Sequence, residues 1–526
     1  MHSLARPKGT MAQMRSDYEV EDEQTALIAG EERADRSHQP VLFGVSLTSV
    51  QVYQVHSGTP ILNLLCVILL IVASATGFVN VPLTRIVEDV ICHQYYVNSL
   101  EEPIDEKLCK LEAIQSKLAF IFAITGMCEA VVALLAALPW GITADRIGRK
   151  PVFSTALVGM ALGVLFTMMV LWLPNVFPTP FVALGSAFLF VGGGTAVVIG
   201  ILLGMISDVI PEDKRATAFM RLHVSGLVGS LISPALSSAI MAVTGPWPVM
   251  LVAVACLMSG AIAILFVPET LRHDQRTEAT GSENQYSRFN ERAANTVGRL
   301  KESLSVLASS SLLLLMLTCL FTAPFAIGVH QFLVQFISKR YDMLIKDTGY
   351  VQAAYGLVQI MQALLVLPRV SSFLLKDTTP RLFKMANEQE RDLTLAKLSI
   401  LFLLLGFSAL GAAPNVSLFI LGLLILTFGS GHSSLIRSLM SFYVDPAFQS
   451  RLFSVICMIE VIGSFYGSPM MAGLFTLGLR LGGGWIGLPY YGLALLCAFC
   501  IGILFLVRVP KHAVSATLES EEAMAG

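Results

Sequence analysis

Twelve stretches of this chain are almost entirely apolar, and each is long enough to cross a lipid bilayer as a helix. Because lipid cannot bond to free backbone groups, such stretches fold only as helices or as strands of a closed barrel. The runs 61–79 and 312–325 lack the alternation of barrel strands, so the sequence predicts an all-α membrane protein. The twelve predicted transmembrane helices are 61–83, 116–138, 151–172, 181–207, 217–241, 248–268, 311–334, 348–368, 396–413, 417–440, 453–477 and 488–508.

The composition supports this fold class and excludes others. Hydrophobic residues make up 55% of the chain and charged residues 14%, whereas soluble proteins average about 25% charged residues. The net charge is −2, so no basic field indicates a nucleic-acid partner. The sequence contains neither a Gly-x4-Gly-Lys-Ser/Thr phosphate loop nor a His-Glu-x-x-His zinc motif. We therefore expect neither an enzyme nor a cofactor or metal site.

The distribution of basic residues predicts the topology. Lysine and arginine favour the cytoplasmic side of membrane loops. With a cytoplasmic N-terminus, 27 of the 35 basic residues fall on that side, and twelve helices return the C-terminus there. The first apolar run lies too deep in the chain and is too long for a cleaved leader. We expect a multi-pass protein of the cell membrane, with a lipid bilayer as its surroundings and a monomeric state.

The longest connection, after the sixth helix, predicts two halves. Similar stretches follow the fourth helix (Pro-Glu-Asp-Lys-Arg from 211) and the tenth (Pro-Ala-Phe-Gln-Ser-Arg from 446), which indicates an internal repeat. The predicted segments are a disordered cytoplasmic tail 1–59, a six-helix bundle 60–270, a cytoplasmic loop 271–310, a second six-helix bundle 311–510 and a cytoplasmic tail 511–526.

The loop between the second and third helices carries the most specific motif. It reads Gly-Ile-Thr-Ala-Asp-Arg-Ile-Gly-Arg-Lys and resembles the signature of the major facilitator superfamily, Gly-x-x-x-Asp-Arg-x-Gly-Arg-Arg/Lys. The resemblance covers roughly 60–510, and it implies the MFS fold, with two six-helix bundles around a cavity near the membrane midplane. The six matching positions are Gly141, Asp145, Arg146, Gly148, Arg149 and Lys150.

Looser stretches around 85–96, 335–340 and 478–489 resemble a fungal branch of the superfamily. That branch is distantly similar to proton-coupled folate and antibiotic-type carriers, and many of its members are associated with export in secondary metabolism. Proton-coupled members often carry an arginine in the fourth helix, whereas 181–207 has no charge here. The antiporter signature of the fifth helix contains Gly-Pro, whereas Pro234 lacks a preceding glycine.

The loop motif is a candidate gate. Asp145 could accept charge-assisted bonds from Arg146 or Arg149, or cap a neighbouring helix, and such a latch would form in one state and break in another. The alternative is an ordinary charged turn that anchors the protein at the membrane surface.

Two acids within the predicted helices are candidates for proton coupling. Glu129 and Glu460 are costly in hydrocarbon and therefore indicate a proton relay, or else neutral acids bonded to a neighbouring helix. Arg437 is expected to be a snorkelling anchor, and His432 a hydrogen-bonded core residue.

Further polar side chains are candidates for a substrate cavity or a gate. Tyr355, Gln359 and Gln362 share one helix face, and their neutral groups suit a neutral or zwitterionic substrate, although bonding between helices is the alternative. Arg85 shares a helix face with Glu88 and Asp89. The three side chains could form an ion pair at the helix end or an outer gate. The full set of cavity candidates is Arg85, Glu88, His330, Gln331, Gln335, Tyr355, Gln359 and Gln362.

Two features fall in loops predicted to face outside. Cys92 and Cys109 share the first such loop, where a disulfide is plausible. Asn415 begins the only Asn-x-Ser/Thr sequon and is a candidate for glycosylation.

These features and the resemblance together imply a secondary transporter that works by alternating access. The expected activity is proton-coupled efflux of a small organic molecule, such as a secondary metabolite or toxic compound. The alternatives are a proton-coupled importer of an organic anion or nutrient, and a non-transporting membrane sensor or scaffold.

Overall fold

The computed structural model describes residues 58–96, 104–210, 212–269, 310–366, 368–370, 388–444 and 449–507. All of them belong to one compact unit, Gln54–Gly526. The predicted tails and the loop 271–310 lie almost wholly outside these ranges, so their bounds stay predictions.

All regular secondary structure in the described ranges is helical. Twelve segments are long and apolar enough to cross a membrane, which confirms the predicted number of transmembrane helices. In chain order, spans 1 to 12 are Pro60–Tyr95, Glu112–Ala137, Arg149–Trp172, Thr179–Val209, Ala218–Thr244, Pro246–Phe266, Ser310–His330, Ile345–Val370, Gln389–Ala412, Val416–Ser441, Val455–Leu481 and Gly483–Leu506.

Several helices extend beyond the apolar spans, and some spans consist of more than one helix. The α-helices are Gly58–Tyr95, Glu112–Ile147, Arg149–Trp172, Gly194–Val209, Glu212–Thr244, Pro246–Ala263, Ser310–Cys319, Thr322–His330, Phe332–Arg340, Ile345–Met361, Glu388–Ala412, Val416–Thr427, His432–Ser441, Gln449–Leu481 and Leu488–Leu506. Shorter 3₁₀ or π segments are Glu106–Lys110, Thr179–Phe190, Ile264–Phe266, Gln362–Val366 and Gly483–Gly487.

Span 4 is interrupted in the middle. Its first part, Thr179–Phe190, is wound as a 3₁₀ helix, and the α-helix Gly194–Val209 follows. Three successive glycines from Gly192 have positive φ angles of 90°, 83° and 65°, a conformation that side chains disfavour. The indole nitrogen of Trp140 donates to the carbonyl oxygen of Phe190 at 2.6 Å, so one backbone group freed by the break is satisfied.

Each half of the chain has its own apolar core. One large cluster of buried side chains comes mostly from 61–267, and a second comes mostly from 312–507. A smaller cluster, drawn from 86–250, lies beside the cysteines at positions 92 and 109. The two cores explain how one chain forms two helical bundles.

The bundles pack against each other through spans 2 and 11 and through spans 5 and 8. A Cβ atom on Gly356 would lie 2.5 Å from the Cβ of Leu231, so the glycine permits close approach of spans 5 and 8. Below, the end of the molecule that contains Cys92 and Cys109 is called the disulfide end, and the end that contains 141–150 is called the motif end.

Candidate functional site

A cavity of about 480 Å³ lies within the second half of the chain. Spans 7, 8, 9, 10 and 11 all contribute side chains to its wall. Its volume is in the range of sites that hold small organic molecules.

The cavity wall contains one ion pair. Arg437 of span 10 donates from Nη2 to Oε1 of Glu460 in span 11, at 2.5 Å. The hydroxyl of Thr322 in span 7 lies 3.3 Å from the same carboxylate oxygen. The two charged side chains are 41% and 22% exposed, so both remain accessible from the cavity. Together these two contacts of the ionised carboxylate link spans 7, 10 and 11.

The structure brings some of the predicted cavity residues together. His330, Tyr355 and Gln359 line the cavity with Glu460. Glu129 has an exposed side chain and does not contribute to this wall, so its coupling role stays a prediction.

The other predicted cavity residues lie elsewhere. Gln331 is exposed between the helices Thr322–His330 and Phe332–Arg340. Gln362 is buried and accepts a bond from Ser430. Gln335 is buried and donates to the backbone oxygen of Gln115 at 2.8 Å. Arg85 and Glu88 lie at the disulfide end. The bonds of Gln335 and Gln362 to other helices match the alternative interpretation of these glutamines, bonding between helices.

One cavity residue had been expected elsewhere. Arg437 was predicted to snorkel to the membrane surface, yet it lines the cavity. His432 is buried and bonded to the backbone oxygen of Gly429, as predicted, and it also lines the cavity. Sequence spacing could not reveal the pairing of Arg437, because its partner is 23 residues away on the next span.

At the disulfide end, Lys110 is almost fully buried, with 5% exposure. Its Nζ donates to Glu88 at 2.7 Å, to Glu106 at 3.2 Å and to the hydroxyl of Ser338 at 2.6 Å. Arg85 lies 3.4 Å from both Glu88 and Glu106. The sequence had indicated only the helix-end group of Arg85 and Glu88, and nothing in it distinguished Lys110 from other loop lysines.

A disulfide joins Cys92 to Cys109, the neighbour of Lys110. Since Cys92 lies near the end of the first helix, the bond ties the segment with the buried lysine to span 1. Asn415 lies between spans 9 and 10. It is exposed and accepts a bond from the backbone nitrogen of Leu418. Its glycosylation stays a prediction.

The same segment contacts the second half of the chain. The backbone nitrogen of Ile345 donates to Glu106 at 2.8 Å, and Lys339 donates to the backbone oxygen of Lys110 at 2.6 Å. Deeper in the protein, Asn80 donates to the backbone oxygen of His330 at 2.7 Å. These polar bonds between the halves, and the 3.9 Å pair of Glu112 with Arg480, lie at or toward the disulfide end.

At the motif end, the observed ion pair differs from the expected one. The guanidinium of Arg149 bonds to Asp208 of span 4, whereas Asp145 and Arg146 are exposed. A Cβ atom on Gly204 would lie 2.9 Å from Cζ of Arg149, so this glycine makes room for the guanidinium. Within the described ranges the exposed side chain of Asp145 makes no ion pair or hydrogen bond.

Glu269 provides the second contact at the motif end. Its carboxylate accepts bonds from the backbone nitrogens of Arg149 at 3.1 Å and of Lys150 at 3.2 Å. A carboxylate at a helix N-terminus satisfies free N–H groups and interacts favourably with the helix dipole. The preceding Gly148 has φ of 124°, which allows the abrupt turn between spans 2 and 3. The sequence did not predict this cap, because Glu269 lies 119 residues from Lys150.

Comparisons with known proteins agree with this architecture. The sequence profile described as Major Facilitator Superfamily matches residues 111–468. The chain is 27% identical to the MFS efflux pump atnC of Emericella nidulans, over 85% of this chain and 88% of that protein. It is also 27% identical to the MFS-type transporter aprT of Aspergillus flavus, over 92% and 96%.

Two solved structures show the same fold. The human organic anion transporter MFSD10 aligns with a TM-score of 0.54 at 15% identity, over 86% of this chain and all of that one. A D-xylose-proton symporter aligns with a TM-score of 0.57 at 13% identity, over 85% and 98%. At these identities the likeness concerns the fold alone.

Proposed function

Because this chain belongs to the Major Facilitator Superfamily, a family of membrane transporters and not of enzymes, we propose that it exports a small organic molecule in exchange for protons. The molecule binds in the cavity of the second half, and the two bundles expose that cavity to each side of the membrane in turn.

The observation that carries the proposal is the Arg437–Glu460 pair in the cavity wall. A carboxylate that faces a cavity within the membrane is a site where a proton can bind. Protonation of Glu460 removes its charge and breaks the charge-assisted bond, so the link between spans 10 and 11 depends on the proton. Proton binding and the arrangement of the cavity wall are thereby coupled at one residue.

The direction of transport is supported by two findings. The fungal relatives include proteins named efflux pumps. Import of an anion would be favoured by free arginines at the disulfide end, but Arg85 lies 3.4 Å from Glu88 and Glu106, and Arg340 donates to the backbone of Gly483. Two carboxylates therefore offset the charge of Arg85, which does not favour an anionic substrate.

The orientation follows from the predicted charge bias, with the motif end in the cytoplasm and the disulfide end outside. In this orientation the bonds of Lys110 and Glu106 to the second half close the outer side. The pairs formed by Arg149 and Glu269 stay within the first half and hold its cytoplasmic ends together. The gate is therefore the buried cluster at the disulfide end, and the loop motif is its counterpart on the inner side.

The test measures uptake into inside-out membrane vesicles with an acidic lumen. A mixed library of organic compounds is supplied, and accumulated compounds are identified by mass spectrometry with and without a protonophore. We expect accumulation that requires the pH gradient and is lost in the Glu460→Gln variant. The control is Glu390→Gln, which changes an exposed acid at the start of span 9.

The other outcomes contradict the proposal. Unchanged accumulation in Glu460→Gln removes this residue from coupling. Movement of a compound in the same direction as the protons indicates import. Correctly inserted protein that moves no compound indicates a sensor or scaffold.

A further inference from the structure

Three polar atoms that belong to residues of the cavity wall are buried and have no hydrogen-bond partner among the described residues. They are Oε1 of Gln359, Nε2 of His432 and Nε of Arg437. Buried polar atoms without partners are costly, and in a binding site they indicate the polar groups of the ligand.

The role of His432 follows from its other nitrogen. The residue is 8% exposed, and Nδ1 lies 3.1 Å from the backbone oxygen of Gly429. A carbonyl oxygen can only accept, so Nδ1 carries the hydrogen. A buried imidazole with no carboxylate bonded to it is most stable in its neutral form. Nε2 is therefore an acceptor, and it needs a donor from the ligand.

The two other atoms complete a pattern. Oε1 of Gln359 is a second acceptor, because an amide oxygen cannot donate. Arg437 uses Nη2 for Glu460, which leaves its buried Nε–H as a donor. A complementary ligand donates at least two hydrogen bonds and accepts one.

The rest of the wall determines the body of the ligand. Phe325 and Phe407 are buried, their ring centroids are 5.7 Å apart, and Tyr355 lies on the same wall. Such rings favour a flat aromatic molecule. Among the described residues of the wall, Arg437 and Glu460 are the charged ones, and their charges cancel. The cavity therefore favours a neutral ligand over an ion.

From this geometry we infer that the cavity binds a neutral aromatic molecule with several hydrogen-bond donors, as in a polyhydroxylated aromatic compound. Hydroxyl groups donate to His432 and Gln359, and one hydroxyl oxygen accepts from Arg437. The inference rests on the proposed function, because it assigns the substrate class of the same cavity.

The test uses resveratrol, which carries three phenolic hydroxyls, and its trimethyl ether, which has the same aromatic frame but cannot donate. Binding to the purified protein in lipid nanodiscs is measured by equilibrium dialysis, and empty nanodiscs correct for partition into lipid. We expect saturable binding of resveratrol that is about tenfold tighter than that of the ether, the size expected for one or two lost hydrogen bonds.

Variants connect the preference to the wall. His432→Phe keeps a ring but removes the acceptor, and Gln359→Leu removes the second acceptor. Each should weaken resveratrol binding by about tenfold and leave binding of the ether unchanged. Ser434→Ala alters an exposed residue on the same helix outside the cavity wall, and it should bind both compounds as the parent protein does.

Equal binding of the two compounds, no saturable binding of either, or a preference that survives both cavity substitutions would overturn the inference. Its failure is distinguishable from failure of the proposed function. Proton-dependent accumulation of other library compounds without a preference for resveratrol contradicts only the substrate class. If the protein prefers resveratrol to its ether through His432 but accumulates no compound in vesicles with a pH gradient, only the transport mechanism is contradicted.

Discussion

Replacement of Lys110 by methionine should open the disulfide end. The substitution keeps the length of the side chain but removes the charge that pairs with Glu88, which is fully buried, and with Glu106. In the closed arrangement Glu88 would then be a buried carboxylate without its main partner. In an open arrangement water reaches it, so the substitution disfavours the closed state specifically.

The magnitude follows from the contacts that remain. Loss of one partner from a buried ion pair costs about 3–5 kcal/mol. Glu88 keeps Arg85 at 3.4 Å and the amide of Gln115 at 2.6 Å, so the lower end of this range applies. About 3 kcal/mol corresponds to a change of more than about 100-fold in the ratio of closed to open protein.

Hydrogen–deuterium exchange in nanodiscs measures this ratio. Backbone amides of 104–118 and 332–348 should exchange at least about 100-fold faster in Lys110→Met, whereas those of span 3 should not change. Lys107→Met is the matched control, because Lys107 is exposed in the same segment. The double variant Glu88→Gln/Lys110→Met should recover much of the protection. Equal exchange in the two lysine variants, or faster exchange throughout the protein, would refute the assignment of the gate.

Three further predictions concern stability. Glu269→Ala removes the cap from the helix that begins at Arg149 and should cost about 1 kcal/mol, measured as a lower thermal midpoint, and an unchanged midpoint would contradict the capping role. Reduction of the bond between Cys92 and Cys109 should cost about 3 kcal/mol and increase exchange at the disulfide end, and the double serine variant should be insensitive to the reductant. Burial raises the pKa of the Tyr341 hydroxyl from 10.0 to about 12, so the contribution of this residue to stability should be constant below pH 10 and fall as the pH rises from 10 to 12. Tyr341→Phe should lose less stability over that pH interval than the parent protein.

The sequence by itself determined the spans, and the loop motif indicated the family. Hydrocarbon imposes its requirement on each helix separately, as a sufficient length of apolar residues with satisfied backbone groups. That property is local, so it can be read along the chain without knowledge of the packing. For the same reason the twelve spans agree with those of the structure.

Which side chains meet was decided only by tertiary structure. Arg149 bonds to Asp208, 59 residues away, and Lys110 bonds to Ser338, 228 residues away. Likewise, Tyr355, Gln359 and Gln362 share one helix face, but Gln362 bonds to Ser430 and does not line the cavity. Periodicity defines the face on which a residue lies, whereas the partner of that face depends on how twelve helices pack, and their nearly uniform apolar surfaces carry little information about that arrangement.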